Sequence, residues 1–105
     1  MTYWNDKRVL VTGVGGFVGS NLIKALLSKN AFVVTYSSRE IGASSLLTLE
    51  GLVNKIARQE KGAMEDFDRV DEVVRKNKID IIFHLAAQPL VEEWLKNPIE
   101  TFDVN

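Results

Sequence analysis

Four of the nine residues in TGVGGFVGS, positions 12–20, are glycine, and they stand directly behind the apolar run Val9, Leu10 and Val11. Bare backbone at that density lets main-chain amides approach a ligand closely. An apolar strand leading in and a helix leading out make the arrangement suited to the pyrophosphate of a dinucleotide. The spacing Gly-x-Gly-x-x-Gly is not met, because its third glycine would have to replace Val18. Gly-x-x-Gly-x-x-Gly is met by Gly13, Gly16 and Gly19. Gly13 would make the tight turn off the strand, Gly16 would let the backbone close on the pyrophosphate, and Gly19 would let the helix lie close on the sheet. A helix opening near Gly16 aims its free N–H groups and positive dipole end at the anion. A glycine turn serving packing alone is the competing reading, and the strand before and helix after favour the dinucleotide. No Gly-Lys-Ser/Thr follows, which excludes a P-loop triphosphate site.

Other chemistries are poorly supplied. The chain of 105 residues has no cysteine and one histidine, so neither a disulfide framework nor a Cys-based metal site is possible, and no metal ligands are assigned. Thirteen Lys+Arg against fourteen Asp+Glu leave a formal charge of −1, without the basic stripe that nucleic-acid phosphates require. The opening MTYWNDKR has the wrong order of charge and apolarity for a secretory signal, and no uncharged apolar stretch reaches the roughly 18 residues of a membrane span. A cytoplasmic location is expected, with neither nucleic acid nor membrane as partner. His84, on an apolar run, reads as a satisfied core residue rather than a catalyst.

The elements that must position the glycines alternate in period. RVLVT (8–12) reads as a strand buried on both faces. NLIKALLSKN (21–30) places Leu22, Ala25, Leu26 and Lys29 on one helical stripe and closes on Asn30. AFVVTY (31–36) returns to strand chemistry. A weaker helix is expected over 44–53, a short strand near 55–59, and an amphipathic helix over 65–78, with acids at its start and bases at its end. IDIIFHLAA (79–87) is the clearest buried strand. The alternation predicts a single α/β unit: a Rossmann-like half with about four parallel strands in the order 3-2-1-4, flanked by helices.

Three segments together, TGVGGFVGSNL (12–22), FHLAAQPLV (83–91) and NPIETFDVN (97–105), resemble the extended short-chain dehydrogenase/reductase family, the NAD-dependent epimerases and dehydratases of nucleotide sugars. The resemblance covers the whole chain. HLAAQPLV followed by Pro-x-Glu-Thr-Phe is most similar to the CDP-glucose 4,6-dehydratases within it. The resemblance implies main-chain contacts to pyrophosphate from Gly13, Gly16, Phe17 and Val18. It also implies that Leu85, Ala86, Ala87 and Gln88 border the ribose and nicotinamide side, where bulk at either alanine would block the cofactor's path.

The adenosine half departs from the family pattern. An acid that holds the ribose hydroxyls is common at the end of the second strand; that place falls on Ser37, with Ser38 and Arg39 next. Arg39 would either meet a 2′-phosphate, favouring NADP, or stand as a solvated loop charge. Where the family carries Gly-Asp-Ile or Gly-Asp-Leu, this chain reads Gly62, Ala63, Met64: Met64 would pack on adenine without the acid's polar contact. NAD is favoured over NADP through the resemblance.

The family's catalytic Tyr-x-x-x-Lys is expected beyond a fifth strand. Tyr3 and Lys7 satisfy that spacing only as text, ahead of the first strand, and Tyr36 is followed at that distance by Glu40. No catalytic residue is therefore assigned. Residues 1–105 are expected to be the N-terminal, NAD(P)-binding part of a larger enzyme performing a 4,6-dehydration or an epimerisation of a nucleotide sugar, incomplete by itself. A free-standing nucleotide-binding or interaction module is the alternative. Trp94 is expected to pack, Glu92 and Glu93 to face solvent, and the fourth strand to leave an open edge through which the chain forms a homodimer or aggregate.

Overall fold

The computed structural model describes residues 3–13, 17–38, 46–63, 65–85 and 100–103, leaving out the side chains of Phe17, Leu46 and residues 100–103. Strand β1 (Arg8–Thr12) leads to helix α1 (Phe17–Ser28) and strand β2 (Phe32–Ser37). A short helix α2 (Leu46–Leu49) and a 3-10 turn (Val53–Lys55) precede β3 (Arg58–Lys61); helix α3 (Phe67–Lys76) then leads to β4 (Ile81–His84), and β5 (Glu100–Asp103) follows. The strands form one sheet in the order β3-β2-β1-β4-β5. Every pairing is parallel, with Val9 opposite Val33 and Ile81 on its two sides.

The expected 3-2-1-4 order is present, and a fifth strand extends it. That strand corrects one expectation: the edge of β4 is not open, because β5 lies along it with Ile81 opposite Glu100 and His84 opposite Asp103. Association through a bare β4 edge therefore has no edge to use.

Because side chains alternate across a strand, β1 and β2 feed two separate cores. Val9, Val11 and Val33 pack with Ile23 and Leu26 of α1 and Leu47 of α2 on one face. Leu10, Val34 and Tyr36 pack with Val70, Val73 and Val74 of α3 on the other. This two-sided cover is why the strand segments read as continuous apolar runs rather than alternating ones. The inward stripe of α1 is rotated from the expected one. Ile23 and Leu26 are buried beside Gly19 and Ser20, while Ala25 and Lys29 are exposed. Gly19, Ile23 and Leu26 share that buried stripe at helical spacing.

All three described helices close in the same way. Ala31 N–H donates to the Leu26 carbonyl, Leu52 to Leu47 and Ile79 to Val74, each with a residue in the left-handed region just before. Those residues are Asn30 (φ 62°), Gly51 (φ 69°) and Lys78 (φ 51°). This is the Schellman closure. Asparagine and glycine tolerate the left-handed region, whereas a lysine there is strained.

The outer strand β3 is clasped by α3. Glu60 is 11% exposed and takes Arg69 Nη2 at 3.2 Å and Lys76 Nζ at 3.4 Å. The Asn77 amide donates to the same carboxylate at 3.2 Å. At the amino ends of the strands, Arg8 N–H donates to the Asp80 carboxylate and Asp80 N–H donates back to the Arg8 carbonyl, fixing β4 against β1.

Two predictions follow from these contacts. Lys78→Gly removes the left-handed strain at an exposed position and is expected to stabilise the fold by about 0.5–1 kcal/mol in urea unfolding, the relief being partly offset by greater freedom of the unfolded chain. Burial raises the Glu60 carboxyl, yet the Asn77 amide and the Lys76 and Arg69 cations outweigh it and hold it below its ordinary 4.5. A group lowered in the folded state contributes stability that is fully present above its unfolded value and lost as pH falls through the folded one. Wild-type stability is therefore expected to drop as pH falls below about 4.5, and Glu60→Gln to flatten that drop while costing about 1–2 kcal/mol at pH 7, both read by urea unfolding across pH.

Candidate dinucleotide site

From β1 the chain builds outward through β2 to β3, then returns to place β4 and β5 on the other side of β1. The order thus reverses between β1 and β4, and in open α/β sheets ligands bind in the crevice beyond the carboxyl ends of the strands at such a point. Gly13 stands there, immediately after β1, exposed and with φ 75°. Only glycine adopts that conformation without strain. Its N–H donates to the Tyr36 carbonyl at 3.3 Å, tying the turn to β2. Helix α1 begins at Phe17, so its N-terminus lies at the same edge. Val18 is 54% exposed at that end, and Gly19 is buried.

The carboxyl end of β4 is stitched to that of β1. Leu85 N–H donates to the Thr12 carbonyl at 3.1 Å. The Thr12 hydroxyl and His84 Nδ1 lie 2.8 Å apart, both residues buried. His84 is thus engaged in the core, and its role is to hold the two strand ends that flank the switch point. Leu85 itself is half-buried, packed on the α1 face.

On the adenosine side, Ser37 ends β2 half-buried and Ser38 is exposed. Gly62 N–H donates to the Ser37 carbonyl at 3.1 Å, and the Tyr36 hydroxyl donates to the Ala63 carbonyl at 2.7 Å. A Cβ on Gly62 would lie 2.2 Å from the Tyr36 oxygen, so glycine is required for close approach. Burial, then the Asp66 and Glu65 carboxylates, raise the Tyr36 phenol above its usual 10, with Arg69 opposing. At neutral pH it is a donor and not a base.

The structure therefore brings Gly13, the start of α1, Ser37, Ser38, Ala63 and Leu85 to one edge of the sheet. Gly16, Arg39, Met64, Ala86, Ala87 and Gln88 lie outside the described residues, as do Glu92, Glu93 and Trp94. Tyr3 and Lys7 precede β1 at the opposite edge, where Lys7 Nζ sits 4.8 Å from the Tyr3 ring centre. Among the described residues no cluster of three or more acidic or histidine side chains could hold a metal, and no helix is long and apolar enough to cross a membrane. Thr12 and Tyr36 are site-building residues that sequence reasoning missed. The only available signal was a polar residue at the end of each apolar strand.

A family model described as GDP-mannose 4,6 dehydratase matches residues 10–105. The chain belongs to that family. Relatives in keeping with GDP-mannose 4,6 dehydratase membership include a CDP-glucose 4,6-dehydratase of Salmonella typhimurium, 37% identical over 98% of this chain and 28% of the relative. A UDP-glucose 4-epimerase of Lactobacillus helveticus is 31% identical over 93% of this chain and 28% of its own length. Among solved structures, the UDP-glucose 4-epimerase from Brucella ovis in complex with NAD superposes with a TM-score of 0.61 at 26% identity, over 83% of this chain and 25% of that one. The chain thus spans under a third of each of these relatives.

Thr12→Val keeps the shape of the side chain but removes the hydroxyl that meets His84 in a buried setting. It is expected to cost about 1–3 kcal/mol, measured as a lower urea midpoint with an unchanged slope.

Proposed function

We propose that this chain is the dinucleotide-binding portion of an enzyme acting on a nucleotide sugar, a 4,6-dehydratase in preference to an epimerase, with NAD as cofactor. One observation carries the reading: the left-handed turn at Gly13 opens at the β1–β4 switch point directly ahead of α1. The match of the family model over residues 10–105 supports the enzyme class. The higher identity to the Salmonella dehydratase supports the preference for dehydration, and the NAD complex of the Brucella epimerase supports the cofactor.

In this reading the main chain of Gly13, Gly16, Phe17 and Val18 holds the pyrophosphate, while Gly19 keeps α1 close enough to the sheet for its N-terminus to reach it. Ser37 and Ser38 offer hydroxyls to the adenosine ribose where an acid is common. Ala63 and Met64 border adenine. Leu85, Ala86, Ala87 and Gln88 leave room for the second ribose and the nicotinamide. Bound there, the nicotinamide supplies the hydride acceptor and donor for oxidising and reducing the sugar. The work of these residues is binding and orientation, and acid–base catalysis is assigned to none of them. Tyr36 in particular spends its hydroxyl on Ala63.

A micromolar dissociation constant corresponds to about 8 kcal/mol, and a helix dipole supplies at most roughly 2 of it. Burial of adenine and several backbone hydrogen bonds must provide the rest, and the usual ribose and adenine acids are missing. Calorimetric titration with NAD, NADP and ADP-ribose is expected to show NAD and ADP-ribose binding within a few-fold of each other, both weaker than micromolar. A preference for NADP would overturn the cofactor assignment and give Arg39 to the 2′-phosphate. Silence toward all three would overturn the dinucleotide reading.

A further inference from the structure

Tyr36 is fully buried, 0% exposed, yet it makes two polar connections at the carboxyl edge of the sheet. Its carbonyl accepts from Gly13 N–H at 3.3 Å, and its hydroxyl donates to the Ala63 carbonyl at 2.7 Å. The ring passes over the place where a Cβ of Gly62 would stand: such an atom would meet the phenol oxygen at 2.2 Å and the ring carbons at 2.8 and 2.9 Å. Gly62 is also held from the other side, its N–H donating to the Ser37 carbonyl. One residue thus connects the turn after β1 with the loop after β3, and Ser37 completes the frame between them.

In a doubly wound sheet the pyrophosphate sits at the turn after β1 and the adenosine extends across the end of β2. The loop after β3 is the next main chain it meets, and here that loop carries the small, exposed Ala63. We propose that Tyr36 is a positioning residue for adenine nucleotides: its hydroxyl and the missing Cβ of Gly62 set the height of the Gly62–Ala63 main chain, which forms one wall of the adenine pocket. This inference rests on the dinucleotide reading above. It assigns to a buried phenol and a glycine the placement that a charged side chain in the loop would otherwise provide by direct contact.

The side chain and the main chain of Tyr36 can be separated experimentally. Tyr36→Phe keeps the ring and the carbonyl that meets Gly13, and removes only the hydroxyl. The protein is titrated by NMR with AMP, which needs the adenine wall, and separately with inorganic pyrophosphate, which needs only the glycine turn. The expected result is a loss of AMP affinity of roughly five- to tenfold, the equivalent of one neutral hydrogen bond, with pyrophosphate affinity unchanged. Gly62→Ala forces the loop away from the ring and is expected to give the same selective loss, and it decides the matter if Tyr36→Phe does not fold. Unchanged AMP affinity in a folded variant, or equal loss for both probes, would overturn the positioning role while leaving the dinucleotide reading intact. A wild-type protein that binds neither AMP nor ADP-ribose would overturn that reading and this inference with it.

Discussion

The structure depends on β1 being buried on both faces and both edges. Val9, Leu10 and Val11 are all fully inaccessible, with α1 on one side, α3 on the other, and β2 and β4 along the margins. A strand so enclosed can satisfy its backbone only through the ladders on its two edges, here both parallel, and the residues between its ends must be apolar. It must also leave the sheet abruptly, because the space beyond its carboxyl end lies between two covering layers. The turn at Gly13 is the form that departure takes. The candidate site is therefore a by-product of the enclosure: a fully buried strand ends in an exposed glycine.

How much of this was legible in the sequence follows from where each contact lies along the chain. Residues 8–12, 31–36 and 79–87 were readable as strands because burial on both faces writes an unbroken apolar run, and of the last the described strand is Ile81–His84. The glycine turn was readable because only glycine takes the φ it needs. The third strand was expected near 55–59 and is found at Arg58–Lys61. As an edge strand its RQEK sequence carries no apolar pattern to fix a boundary. Among the described residues of the helix expected over 44–53, Leu46–Leu49 are α-helical and Val53 opens a 3-10 turn. The face of α1 was read in part: Leu22 and Leu26 of the expected stripe pack in the core, whereas Ala25 and Lys29 are exposed and Ile23 takes the fully buried place.

The site was legible in part for the same reason. Glycine spacing points to a tight turn after β1 because that requirement is local, and Gly13 makes one with φ 75°. The bonds that frame the rest are distant in sequence: Thr12 meets His84, and Tyr36 meets Ala63. Neither pair has a periodic or motif signature, since each depends on strand register and on which elements become neighbours. Once β1 lies parallel to β4, Thr12 and His84 fall opposite each other, and the polar ends of two apolar strands complete one another. That pairing is a result of topology that sequence spacing cannot express.

The charged clasp on β3 has a consequence for the protein in a crowded solution. An outer strand offers a row of unpaired amides and carbonyls to any extended chain that drifts past. On β3 the outward margin is formed by Arg58, Gln59, Glu60 and Lys61, of which all but Glu60 are exposed; Arg69 Nε donates to the Lys61 carbonyl, and Glu60 is held by three side chains from the α3 end of the molecule. An incoming strand would have to desolvate cations and gain no apolar partner in return. That margin of the sheet is guarded against templated misassembly by the same ion pairs that fasten it to the body of the fold.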